Sequence, residues 1–118
     1  ATDYQIIYPE NGLLSHSNHY VTPLMTKYES QPNYASSIQR YARTKELLQK
    51  LKQPITLNQL RPVLSDHGPD NEPSNNTICR HGDPSITVFS VAIDIGRGNL
   101  ELGVGQPCES MPEPFWQL

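Results

Sequence analysis

The sequence has no long apolar run. Its purely apolar stretches are a few residues each, as in Val91-Ala92-Ile93, so no segment reads as a membrane-spanning helix. It has no positive excess either. Nine Lys+Arg stand against twelve Asp+Glu for a net charge of -3, and no basic stripe offers a nucleic-acid footprint. Apolar material is scarce: hydrophobic residues are 36% and the mean hydropathy is -0.57, thin for a self-sufficient core. Cysteine is limited to Cys79 and Cys108, which permit one disulfide or two free thiols. Asn75-Asn76-Thr77 matches the glycosylation acceptor, but neither that short pattern nor the cysteines fixes a compartment. An initiator methionine and a charged-then-apolar leader are also missing, and a start at Ala1 is expected of a processed product or a fragment. Proline, in contrast, is plentiful. Eleven of them imply many loops in a chain of 118 residues, which is read as one domain or part of one, residues 1–118.

The aromatic and β-branched stretch Tyr4 to Tyr8 reads as a strand, and Pro9-Glu10-Asn11-Gly12 as a tight turn, because Asn-Gly tolerates positive φ. Leu13 to Val21 should return as a second strand with an unusually polar centre. Residues 22–35 read as loop. A helix is expected from Ser36 to Pro54, with Ser36 and Gln39 at capping-box spacing and Ile38, Tyr41, Leu48 and Leu51 on its apolar side. Thr56 and Gln59 repeat that spacing before Leu57, Leu60, Val63 and Leu64, although Pro62 argues for a kink or a late start. The clearest strand runs from Ile86 to Ile95, apolar enough on both sides to be covered on both faces. Gly96-Arg97-Gly98-Asn99 turns it into a hairpin with Leu100, Leu102 and Val104, and a Pro-interrupted tail follows from Met111. Strands, then helices, then strands make an α+β order.

Several segments together resemble one family. Ser15-His16-Ser17-Asn18-His19-Tyr20 is similar to a His-x-Asn-His segment. Ser37, Arg40, Arg43 and Leu47-Leu48 match the spacing of a family helix, and Leu64-Ser65-Asp66-His67 matches a Leu-x-Asp-His stretch. Ile78-Cys79-Arg80, the strand Thr87 to Asp94 and Gly105-Gln106-Pro107 follow in the same order. No one segment is specific, but their shared order across nearly the whole chain resembles the peptidase C45 (isopenicillin-N acyltransferase-like) family of N-terminal-nucleophile hydrolases. The resemblance implies the C-terminal part of an αββα sandwich. It also implies an amide hydrolase or acyltransferase in which an N-terminal cysteine, with its own α-amine as base, attacks a small acyl-amide or thioester. It calls for no cofactor.

The chain departs from that pattern at the nucleophile. Residue 1 is alanine, and an internal cysteine has a peptide nitrogen that is not basic, so the resemblance places the nucleophile on an upstream segment or a companion chain. Where family acyltransferases can carry a Ser-Arg pair, this chain has His81-Gly82-Asp83-Pro84-Ser85. By resemblance the Asn18 carboxamide would donate to the oxyanion, where one donor is worth roughly 3 kcal/mol. The competing reading is an asparagine bonded to its local backbone. His19 would be a supporting residue, and Arg80 would meet either a structural acid or a substrate carboxylate.

His16, His19, Cys79 and His81 are metal-ligand types, but His16 and His19, three apart on a strand, point to opposite faces, so no metal is expected. Cys79 reads as a small buried hydrophobe. Asp66-His67 suits acid–base work or a helix end, and Asp94 either supports the site or starts the turn. A cysteine–histidine dyad (Cys79 or Cys108 with His67 or His81) has nothing in the spacing to recommend it. The alternative function is a non-catalytic remnant that binds a small ligand or protein partner. It would expose an apolar sheet edge or face closed by self-association into a homo-oligomer.

Overall fold

The computed structural model describes residues 3–30, 35–82, 85–110 and 113–117. Among the described residues, three helices, α1 (Pro23–Thr26), α2 (Ala35–Gln49) and α3 (Leu57–Leu64), precede three strands, β1 (Phe89–Asp94), β2 (Asn99–Val104) and β3 (Glu113–Gln117). The strands form one antiparallel sheet in the order β1-β2-β3, so the class is α+β as expected. No helix among the described residues is long and apolar enough to cross a membrane.

The expected hairpin at the N-terminal end is reduced to its turn. Asn11 and Gly12 take φ of 52° and 75°, and Glu10 and Leu13 exchange backbone hydrogen bonds of 3.0 and 2.9 Å. Neither the strand expected at Tyr4 to Tyr8 nor the one at Leu13 to Val21 forms. The polar groups of the second segment bond to α2 instead: the Asn18 N–H donates to Ser37 Oγ at 2.7 Å. A backbone donor spent on a side chain cannot extend a ladder. Beyond it, Thr22 and Pro23 start the single turn of α1 inside the expected loop. Residues 31–34 of that loop lie outside the described residues.

Helix α2 ends at Gln49, short of Pro54. Its most buried residue is Ser37, 1% exposed, whereas Ile38, expected on the apolar side, is 52% exposed. The inward side of the first turns of α2 is polar, carrying Ser36, Ser37 and Arg40, while Tyr41 and Leu48 of the expected apolar side are half-buried further along. Ser36 falls inside the first turn, not before it, and its hydroxyl bonds to the Asn75 carbonyl rather than serving a capping box. In α3 the second capping pair is in place, with the Thr56 N–H donating to Gln59 Oε1 at 2.9 Å. Pro62 sits within α3, so the helix neither starts late nor stops there. The Arg43 guanidinium grips Asp66 through Nε at 3.0 Å and Nη2 at 2.8 Å, tying α2 to the end of α3.

The hairpin of β1 and β2 lies where the alternation placed it, with Ala92 opposite Glu101 and Phe89 opposite Val104. Only one face is covered. Ser90 and Ala92 are buried on the side facing α3, and Arg61 of α3 pairs with Glu101 of β2 at 3.0 Å. Phe89, Val91 and Ile93 on the other side are 58%, 42% and 59% exposed. The expectation of a strand covered on both faces therefore fails within this chain. Both sides of the strand are largely apolar, but the described residues supply no second layer over Phe89, Val91 and Ile93. Strand β3 was not expected, because Pro112 and Pro114 mask its pattern. Residues 83–84, 111–112 and 118 lie outside the described residues, and with them part of the 81–85 departure and of the tail.

Candidate functional site

Ser37 organises the expected site segment. Its hydroxyl donates to Ser17 Oγ at 2.9 Å, accepts from the Asn18 N–H, and lies 2.8 Å from His19 Nδ1. The His19 ring stands edge-on to Tyr41 of α2, with ring centroids 5.5 Å apart. Residues 17–19 are thus pinned to one buried hydroxyl, and a serine with no room to move fixes their backbone.

The Asn18 side chain is exposed, and its Oδ1 accepts from Arg40 Nη2 at 2.8 Å. A guanidinium has donors only, so the amide atom facing it must be the oxygen. That assignment leaves the Nδ2 group as a donor with no partner among the described residues. The local-backbone alternative for this side chain is not what forms. Arg40 itself is half-buried, and burial, then the charge of Arg80, lowers its pKa.

Arg80 is held by Asn75: Nε donates to the Asn75 carbonyl at 3.1 Å and Nη2 to its Oδ1 at 3.3 Å. Among the described residues no carboxylate pairs with Arg40 or Arg80. The chain Asn18–Arg40–Ser36–Asn75–Arg80 therefore links the three expected site residues, His19 through Ser37, into one electropositive corner. Arg40 and Ser37 had no assigned role in the sequence reading. Their only signal was their spacing on the helix.

A hollow of about 140 Å³ lies between the 10–13 turn and α2, lined by Ile7, Leu13, Tyr41 and Leu48 among others. Asn18 is not part of its lining.

The remaining candidates sort themselves by contact. Asp66 is committed to Arg43 and to the Gly68 N–H. Burial opposes its ionisation, but those hydrogen bonds prevail and hold the carboxyl below its usual value. Asp94 accepts from the Arg97 N–H at 3.0 Å and so starts the turn. Cys79 is fully buried, and burial pushes its thiol up to about 11, the reverse of what an activated nucleophile needs. It is not surrounded only by apolar groups, however. His81 Nε2 lies 3.4 Å from Cys79 Sγ, 3.2 Å from Cys108 Sγ and 3.1 Å from His67 Nε2. The strand-face argument that separated His16 from His19 loses its basis, since no strand forms there. The four clustered ligand-type residues are His67, Cys79, His81 and Cys108, a set that includes neither of those two.

A family model described as acyl-coenzyme A:6-aminopenicillanic acid acyl-transferase matches residues 1–108. No curated protein and no solved structure gives a significant match.

Proposed function

Because the chain belongs to the acyl-coenzyme A:6-aminopenicillanic acid acyl-transferase family, we propose that it is the C-terminal part of a cysteine N-terminal-nucleophile amide hydrolase or acyltransferase. Membership brings an acyltransferase- or hydrolase-like function. The finer reading is that the reactive cysteine lies on another segment or a companion chain, and that Asn18 completes its oxyanion hole.

The observation that carries this reading is the orientation of Asn18. With its oxygen bonded to Arg40, the carboxamide keeps both Nδ2 hydrogens without a partner among the described residues, so they are available to an oxyanion. In the proposed reaction the cysteine thiolate attacks the carbonyl carbon of a small acyl-amide or thioester. The carbonyl π pair moves to oxygen, where Asn18 Nδ2 stabilises it. Collapse expels the amine or thiol, which takes its proton from the α-ammonium that the α-amine became on deprotonating the cysteine, and the acyl-enzyme passes to water or to an amine. His19 holds the segment in place through Ser37 and does not exchange the proton itself. Arg80, which no carboxylate among the described residues neutralises, favours a carboxylate on the substrate. Neither Cys79 nor Cys108 can use the N-terminal mechanism, since both have peptide nitrogens.

The bare sheet face supports the same reading. In an αββα sandwich a second sheet would cover Phe89, Val91 and Ile93. That face equally suits the alternative, a non-catalytic remnant closed by a second copy of itself.

The test is to co-express the chain with the segment bearing the N-terminal cysteine and to assay short acyl-amides and thioesters. Asn18→Ala should lower kcat by roughly 10²–10³-fold with little change in KM. Full activity in that variant would remove Asn18 from the mechanism. A chain that folds, self-associates and gives no acyl-enzyme burst with any cysteine-bearing segment would favour the remnant.

A further inference from the structure

We propose that His67, Cys79, His81 and Cys108 form a closed, four-coordinate structural zinc site. The proposal does not rest on the acyl-transfer reading.

Geometry is the first argument. All four ligand atoms lie within 4.8 Å of one another. Tetrahedral zinc, with Zn–S near 2.3 Å and Zn–N near 2.0–2.1 Å, sets its ligand atoms about 3.3–3.8 Å apart. Of the three separations at His81 Nε2, 3.4 Å falls within that range and 3.1 and 3.2 Å lie just below it.

Hydrogen bonding does not account for the same arrangement. A neutral imidazole nitrogen carries either one N–H or one lone pair. His81 Nε2 faces two sulfurs and a second imidazole nitrogen, so it can serve at most one of them well. A shared cation satisfies all four atoms at once. A cysteine–histidine dyad would use one thiol and one ring, leaving the second thiol and second ring unexplained.

The ligands come from three segments, and metal-free contacts already hold these together. His67 follows α3, Cys79 and His81 flank Arg80, which bridges to Ser74, and Cys108 follows β2. The Cys79 N–H donates to the Asp66 carbonyl at 3.1 Å, and Ser65 Oγ donates to the Pro107 carbonyl at 2.9 Å. Gly105, at φ of 92°, turns the chain out of β2 toward Cys108. Among the described residues the buried apolar side chains are Val63, Cys79 and Ala92, and one of these is a ligand. A core this small commonly needs a staple.

Two soft thiolates and two imidazoles favour zinc over magnesium or calcium. On binding, both thiols lose their protons to solvent, two S–H bonds exchange for two Zn–S bonds, and the site becomes electrically neutral with no redox change.

The test uses the full chain isolated without chelator and under exclusion of oxygen. One zinc per chain should survive dialysis. Replacement by Co²⁺ alone should give a thiolate-to-cobalt charge-transfer band and the intense red bands of tetrahedral cobalt. Chelation should lower Tm. Cys108→Ser, at an exposed position where misfolding is not expected, should lose part of the charge-transfer band. Its zinc affinity should fall by more than the roughly 10–100-fold caused by loss of an outer-shell partner. Its Tm should no longer respond to chelator. Sub-stoichiometric metal, a pale six-coordinate cobalt spectrum, wild-type affinity in Cys108→Ser, or a Cys79–Cys108 disulfide in the freshly isolated chain would each overturn the proposal. All these readouts are independent of acyl transfer.

Discussion

The Asn18 carboxamide shows how much a residue's role depends on a neighbour far away in sequence. Arg40 is not a catalytic residue in the proposed mechanism, since it touches the amide oxygen and not the substrate. It is a positioning residue. Arg40→Met should lower kcat by about 10–100-fold, the equivalent of a charge-assisted hydrogen bond, and Arg40→Lys should recover part of that loss. In an Asn18→Ala background the same substitution should have almost no further effect, because the two act as one unit. Additive losses in that cycle would show that Arg40 acts by some other route. Asn18 was legible in the sequence only through resemblance, and a polar run on its own gives no direction for a side chain. The residues His67, Cys79, His81 and Cys108 are legible as candidate dyad partners, with Cys79 and His81 also as metal-ligand types, but their meeting as one cluster is not. His81 and Cys108 are 27 residues apart, and their meeting depends on a loop and a turn that no periodicity encodes.

At the level of elements, the chain's helices are joined by charge more than by apolar packing. Arg43 on α2 and Asp66 beyond α3 form a bidentate pair with side chains 22% and 12% exposed. Hydrogen bonds from Arg43 and the Gly68 N–H outweigh burial and keep the Asp66 carboxyl below its usual 3.8. A depressed carboxylate contributes stability above its unfolded value, and that contribution disappears as pH falls through the folded one. Stability should therefore drop as the solution is acidified below that usual value. Asp66→Asn should cost about 2 kcal/mol near neutral pH and flatten this acid limb, as read by urea denaturation at several pH values. An unchanged acid limb would assign it to another group. The β1–β2 hairpin was legible because alternation and the Gly98 turn agree, and both are local. The strands read at 4–8 and 13–21 were not real because a strand needs a partner. In the second of them, the Asn18 N–H goes to Ser37 of α2 and the Tyr20 N–H to Glu29 instead of to a partner strand.

For the molecule as a whole, the sheet has one finished side. α3 and the Arg61–Glu101 pair close the Ser90 and Ala92 face, while Phe89, Val91 and Ile93 stay open. Val91→Lys should change the stability of the isolated chain by no more than about 0.5 kcal/mol, since Val91 is solvent-exposed there. It should abolish association with whatever covers that face, whether a cysteine-bearing segment or a second copy. Sedimentation of wild type and variant, with and without that segment, reads both effects. If Val91→Lys associates as wild type does, that face is not the contact.

An open face of this kind also changes what a melting temperature means for this chain. When a second body binds only the folded form, it adds RT ln(1 + [L]/Kd) to stability, where [L] is its free concentration. Tm then has no single value and climbs with the supply of the covering partner. Synthesis of the two bodies in unequal amounts would leave the excess of this one marginally folded, with Phe89 and Ile93 exposed and available to proteases and to chaperones.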